Sequence, residues 1–439
     1  MTARAFLISA SFLLSLAGVA LAGPEKAPGL PEDALAYGGP VEVMPDYEYG
    51  GPAYPDIDVA IPERGIYSAR QGIQHGQGAS SAKNPDEARA LGAKWLVQIQ
   101  NRDGGWGAGA WGDASAQQTS DVATTAVAVL ALVRDADGGQ AHAQAIKDGA
   151  LHIVKAIETS DPHSPRLNTP EGTQPQYKLG QLVDTHLAAL ALGEVSGRFD
   201  DETNGKVAHA LDYVIGKVQM AQQADGSFDS NGWAPVLSSS IAAMSLYTAM
   251  ENGVEVREDV LDRAEAYQAG NVSEDGRVDA SAGAGVELYA AAGSLRNSQK
   301  AADRGGENAR RAQVAQDAMN TRVSTQAEAL MTGFGSIGGE EMLSYMMISD
   351  ALAEEGGKTW SQWDEKVGQY LLSIQNADGS WAGHHCITSP VFVTAGAVMT
   401  LAADDWADLK GKRSRTTTDD GRAELRPSGA TLQEVTPTL

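Results

Sequence analysis

Small apolar residues recur along the chain in short runs with helical spacing, at 125–132, 185–192, 239–246, 286–292, 342–349 and 394–401. Their Ala, Ser, Thr and Gly content predicts inner helices that approach one another closely around an axis. Stretches with one polar face, at 86–99, 205–221, 260–268 and 360–374, precede most of these runs and predict amphipathic helices that cover them. Six such runs, spaced roughly 45 to 65 residues apart, predict six helical hairpins.

A polar phrase punctuates this pattern three times. It reads Gln100-Asn101-Arg102-Asp103-Gly104-Gly105-Trp106, then Gln222-Gln223-Ala224-Asp225-Gly226-Ser227-Phe228, then Gln375-Asn376-Ala377-Asp378-Gly379-Ser380-Trp381. Asp-Gly supplies a turn, the glutamine is placed to bond adjoining helix ends, and the Trp or Phe is placed to pack between hairpins. The fourth and fifth units keep only Asp275-Gly276 and Gly338-Gly339 as turns.

Gln-x-x-Asp-Gly-x-Trp ahead of Thr-Ala-x-Ala-x-x-x-Leu resembles the repeats of squalene-hopene cyclases and protein prenyltransferase β subunits, over residues 84–403. The resemblance is strong in the first, third and sixth units. It implies an all-α fold, an α/α toroid of six inner and six outer helices with a funnel on its axis, at 84–405. Before it, residues 1–22 carry one early positive charge, an apolar core and an Ala-x-Ala end, the pattern of a cleavable secretory signal. A bacterial protein exported to the periplasm or beyond is expected. Residues 23–83 form a Pro/Gly/Tyr-rich extended leader, and 406–439 read as a disordered tail.

The net charge of −24 repels phosphate backbones, so nucleic acid is excluded as a partner, and no membrane span is expected once the signal is removed. Cys386 is the single cysteine, so no intrachain disulfide forms and the fold rests on its core.

The family resemblance implies chemistry that these residues do not carry. Class II terpene cyclases place a protonated Asp in Asp-x-Asp-Asp-Thr-Ala; here the matching stretch is Asp121-Val122-Ala123-Thr124-Thr125-Ala126, with Ala123 where the acid should stand. Asp184, ahead of Thr185 and His186, is a lone carboxylate in a similar place, and a helix cap is the plainer role of both Asp121 and Asp184. Prenyltransferases hold zinc with an Asp and a Cys from one loop and a His from a later inner helix; Val393 occupies that His position. Complement-like thioester domains use Gly-Cys-Gly-Glu-Gln, of which Gly338-Gly339-Glu340-Glu341 retains only an outline.

His384, His385 and Cys386 remain as a soft-donor cluster suited to zinc or copper, with His186, Asp184, Glu340 or Met346 as partners from other hairpins. The plainer alternative is a loop whose imidazoles bond carbonyls around a buried thiol. Cys386 with His385 as base is a nucleophile candidate. Glu340 and Glu341, with Asp184, are candidates for acid/base work on a polysaccharide, beside Trp111, Trp233, Trp381 and Tyr345; an acidic first helical turn is the alternative. Asp121 and His186 complete the candidate ligand-binding set. Residues 296–322 read as a solvated outer helix with a loop. The expected function is a binding or interaction module for a small molecule, glycan or protein, and the alternative is a divergent metal- or Cys-dependent, terpenoid cyclase-like or carbohydrate-active enzyme.

Overall fold

A computed structural model describes residues 80–110, 115, 118–228, 231–273 and 277–419, with the side chains at 137 and 412–419 excepted. The proposed signal, most of the leader, Trp111 and Asp275-Gly276 lie outside the described residues. Among the described residues the chain is all-helical. Its helices are α1 (Pro85–Gln98), α2 (Val122–Arg134), α3 (Ala143–Glu158), α4 (Gln174–Leu179), α5 (Val183–Val195), α6 (Asp201–Met220) and α7 (Pro235–Glu251). There follow α8 (Glu258–Gly270), α9 (Glu287–Arg304), α10 (Ala309–Met331), α11 (Gly339–Glu355), α12 (Gly357–Ser373), α13 (Pro390–Leu401) and α14 (Ala403–Asp419). No described helix is long and apolar enough to cross a membrane.

The six apolar runs fall in α2, α5, α7, α9, α11 and α13, and every residue of α2, α5 and α11 through Leu352 is buried. α2 packs on α5, α5 on α7, α7 on α9, α9 on α11, α11 on α13, and α13 on α2. The amphipathic helices α1, α3, α6, α8, α10 and α12 each pack on one or two of these, and their polar faces are exposed.

All three copies of the polar phrase make the same bonds. The Gln100 carboxamide donates to its own turn at Gly104 O (2.7 Å) and to Ala145 O in α3 (2.9 Å). Gln222 donates to Gly226 O (3.3 Å) and to Val260 O in α8 (2.7 Å). Gln375 donates to Gly379 O and to Ala88 O in α1, both at 2.8 Å, so the last phrase holds the first helix. The backbone N–H of the aromatic donates to a hydroxyl in the apolar helix that follows: Trp106 to Thr125, Phe228 to Ser239 and Trp381 to Thr394. Trp106, Phe228 and Trp381 are all buried. The turn glycines have φ of 83°, 92° and 91°. That left-handed backbone suits glycine, and a Cβ there would stand 2.6, 2.2 and 2.9 Å from a carbonyl oxygen of the clasped helix.

Two sequence expectations change. The proposed tail begins as helix α14, whose Trp406 is 2 % exposed beneath the Arg134 and Arg198 guanidiniums at 5.4 and 5.7 Å. The reason is charge: α14 lies where Arg134, the last residue of α2, bonds Glu194 of α5 and reaches Asp350 of α11. Arg296 is likewise no surface residue. It is 3 % exposed on α9 and pairs with Glu354, so the solvated segment starts later than residue 296.

Replacing Gln375 with Ala removes the carboxamide bonds to Ala88 O and Gly379 O and is expected to cost about 1–3 kcal/mol, read as a lowered denaturant midpoint. Gln100→Ala should behave alike; a loss below about 0.5 kcal/mol for both would mean the clasp is incidental.

Candidate functional site

The site is built at the first turn of α11. Gly338 precedes the helix with extended backbone, and Gly339 N–H donates to Ile387 O at 3.0 Å, which ties this turn to the loop between α12 and α13. Glycine is required at 338 because a Cβ would meet the His385 carbonyl at 2.7 Å and the Oε2 atoms of Glu340 and Glu341 at 3.1 and 3.2 Å. Both carboxylates therefore converge beside the loop that carries His385 and Cys386.

Glu340 is 1 % exposed and Glu341 fully buried. Oε2 of Glu340 accepts from Ile387 N–H at 3.3 Å, while its Oε1 is buried without a partner. Oε1 of Glu341 accepts from the Tyr289 hydroxyl of α9 and from Phe334 N–H, and its Oε2 is buried without a hydrogen bond, 3.4 Å from His385 Nε2. His385, its side chain 13 % exposed, directs Nε2 at Ser336 O (3.0 Å), and Nδ1 is buried without a partner. With the Nε2 proton on that carbonyl, the ring's lone pair falls on Nδ1. Cys386 is 7 % exposed and holds a φ of 56°, the left-handed region that a non-glycine residue occupies only when its surroundings fix it. One ligating atom each from Glu340, His385 and Cys386 lie within 4.8 Å of one another.

The helix α4 approaches the same place. Gln174, fully buried, accepts from Thr388 and Ser389 N–H at 2.8 and 3.0 Å and donates to the carbonyls of Ala108 and Ala110. Lys178, also buried, sits 4.6 Å from the Trp233 ring, and its charge favours the ionised form of Glu340. Trp233 stacks edge-on to Phe334, and Phe334 packs on His385.

Burial governs the electrostatics. It raises Glu341 to about 7 against the hydrogen bonds from Tyr289 and Phe334. It raises Glu340 too, with the Glu341 charge adding to it. Burial lowers His385, and it lifts the Cys386 thiol well above the ordinary range, with Glu340 contributing. A thiol held protonated next to a carboxyl is a poor nucleophile, which weighs against the Cys386–His385 pair as a catalyst.

The other sequence candidates stand apart from this group. His384 is exposed and bonds the Ser336 hydroxyl at 3.0 Å, and it is not among the ligating atoms that lie together. His186 is fully buried between the Ser238 hydroxyl at 3.2 Å and the edge of Phe228, and burial lowers it to about 3. Asp121 caps α2, accepting from Thr124 N–H at 2.7 Å and from Ala108 N–H at 2.8 Å. Asp184 accepts from Ala123 N–H at 2.9 Å and from Gln176 at 2.8 Å, so it caps the neighbouring helix α2 as well. Burial raises Asp121 to about 7, with the Asp184 charge adding to it, and raises Asp184 to about 6. Every oxygen of both is bonded, so they act as helix clamps. Met346 and Tyr345 are buried in α11, and the Tyr345 hydroxyl bonds Met331 O. With Trp381 buried as well, these rings offer no carbohydrate platform. Tyr289, Gln174, Lys178 and Phe334 are the residues sequence reasoning did not single out. Tyr289 alone carried a signal, a hydroxyl inside the run 286–292.

No family model, curated protein or solved structure matches the chain.

An acid whose folded value lies above its unfolded one stabilises fully below the unfolded value and loses that contribution as pH rises through the folded value. For Glu341 that window runs from 4.5 to about 7. In chelator-treated protein, Glu341→Gln should therefore gain stability relative to the parent chain between about pH 5 and about pH 8. A difference in denaturant midpoint that stays flat over that range would contradict the assignment. Cys386 should resist a thiol reagent until the protein is unfolded, and rapid labelling of the native chain would show an exposed, ionised thiol.

Proposed function

We propose that the chain is an exported helical toroid of the squalene cyclase and prenyltransferase repeat type, and that it serves as a zinc-binding scaffold without the chemistry of either enzyme. Closure of the ring is supported by the packing order, in which α13 returns to α2. It is also supported by Gln375, which clasps α1 as the earlier glutamines clasp α3 and α8. The lost acid at Ala123 and the absent imidazole at Val393 speak against cyclisation and prenyl transfer.

The observation that carries the zinc reading is a compact group of ligating atoms beside two buried donors that have no hydrogen-bond partner. Carboxylate, imidazole and thiol atoms of Glu340, His385 and Cys386 lie within 4.8 Å, and Glu340 Oε1 and His385 Nδ1 are buried without partners. Burying such atoms unpaired costs several kcal/mol, roughly 2–7 for each, and a cation removes that cost. Mixed sulfur, nitrogen and oxygen donors suit zinc, whereas copper(I) prefers softer ligands without carboxylate. The Ser336 carbonyl on Nε2 of His385 is the outer contact that orients a metal-bound imidazole.

Metal analysis of protein purified without chelator should find zinc in the parent chain and in His384→Ala, and none in His385→Ala or Cys386→Ser. Removing the zinc should lower the melting temperature, and adding it back should restore it. Protein that is metal-free as isolated and does not respond to added zinc would overturn the reading.

A further inference from the structure

We infer that the zinc centre takes a small carboxylate as its fourth ligand, held by Lys178 and by the rings of Trp233 and Phe334. This rests on the zinc reading above. Zinc with three protein ligands keeps a fourth tetrahedral position for water or an incoming group, and Glu340, His385 and Cys386 are the three whose ligating atoms lie together. The neighbouring side chains are engaged elsewhere. Glu341 gives Oε1 to Tyr289 and Phe334, and its Oε2 lies against His385 Nε2, the nitrogen turned to the Ser336 carbonyl. His384 bonds the Ser336 hydroxyl.

Beside the three ligands stand a cation and two rings. Lys178 is 8 % exposed, and its charge acts on Glu340, His385 and Cys386 alike. Its ammonium lies 4.6 Å from the Trp233 ring, Trp233 meets Phe334 edge-on at 5.5 Å, and Phe334 packs on His385 at 4.9 Å. Ammonium, rings and imidazole thus form one continuous wall. Trp233 and Phe334 are half-buried, so the wall reaches solvent, whereas Glu340 and Cys386 are buried.

The backbone fixes this wall. Lys178 O accepts from Trp233 and Ala234 N–H at 2.9 and 3.2 Å, and a Cβ on Gly232 would stand 2.6 Å from Leu179 O. Gln174, one turn earlier on α4, accepts from Thr388 and Ser389 N–H, so the same short helix holds the ammonium against the loop that carries Cys386.

Charge selects the ligand. Zinc binding deprotonates the thiol, and the Glu340 and Cys386 anions then balance the ion, which leaves the Lys178 ammonium for an incoming anion to answer. A carboxylate places one oxygen on zinc and the other on Lys178, and its body lies along Trp233 and Phe334, so a flat apolar acid fits better than a bare one. Lys178 is a binding residue: it bonds the ligand and not the metal.

Cobalt(II) in place of zinc in the full chain separates the two readings. The parent protein should show a thiolate-to-cobalt charge-transfer band. Its visible spectrum should shift saturably with benzoate, more weakly with acetate, and not at all with neutral benzamide. Lys178→Met should keep the charge-transfer band and weaken benzoate binding about 10–100-fold. Trp233→Ala should weaken benzoate about tenfold and leave acetate unchanged. A parent spectrum that ignores both acids, or that shifts with benzamide as with benzoate, would overturn the carboxylate site and leave the three-ligand centre standing. A Lys178→Met protein that binds benzoate as tightly as the parent would overturn it too. A parent chain that gives no charge-transfer band at all would overturn the zinc reading itself.

Discussion

The glutamine carboxamide of each polar phrase donates both of its N–H bonds to carbonyls, one in its own turn and one in the first turns of another helix. The arrangement of the hairpins follows from that pair. Carbonyls near a helix start have a spare lone pair, and the clasp uses it to fix where the next amphipathic helix lies. The adjoining Asp-Gly turn must present backbone flush against that helix, and only a glycine with φ near 90° fits, since a Cβ would stand within 3 Å of a carbonyl oxygen. The buried aromatic then fills the space behind the clasp. Because the third copy holds α1, the two ends of the apolar domain are joined by the same bond that joins its neighbours.

The packing of the apolar helices brings unlike loops together at one place and unlike charges at another. At the C-terminal ends of the apolar helices, Arg134 meets Glu194 and Asp350, and Arg296 meets Glu354, with Trp406 of α14 packed over the first of these arginines. Breaking a buried pair of this kind is costly because it strands the partner's charge, so α14 is held in place by more than its modest apolar face. At the opposite ends, Glu340 and Glu341 face His385 and Cys386, with Lys178 as the nearby cation. There Glu340 Oε1 and His385 Nδ1 are buried without partners beside the Cys386 thiol, and that is why a cation is assigned to this end.

Much of this was legible in the residues. The apolar runs located all six buried helices, because Ala, Ser and Thr at helical spacing leave no polar face. The phrase announced its turn, and Asp121 its cap. What sequence could not give was direction. His384 and His385 are neighbours, yet the exposed one bonds the Ser336 hydroxyl and the other the Ser336 carbonyl beside Glu340 and Cys386. Glu340 and Glu341 read first as a dipole-favouring first turn, since their burial depends on a loop nearly fifty residues away. α14 was missed because its acidic and basic residues resemble a solvated tail until Arg89, Arg134 and Trp360 supply partners. Gln174 and Lys178 carry no motif at all, and only tertiary packing gives them a role.

Glu340, His385 and Cys386 are proposed to hold a zinc ion where the start of α11 meets the loop before α13. Anomalous diffraction at the zinc edge, from crystals of the full chain grown without chelator, tests it most directly. A single strong peak bonded to Cys386 Sγ is expected, with Gln375 seen on Ala88 in the same map. A map with no zinc peak, or with the peak on His384 and away from Cys386, would contradict it.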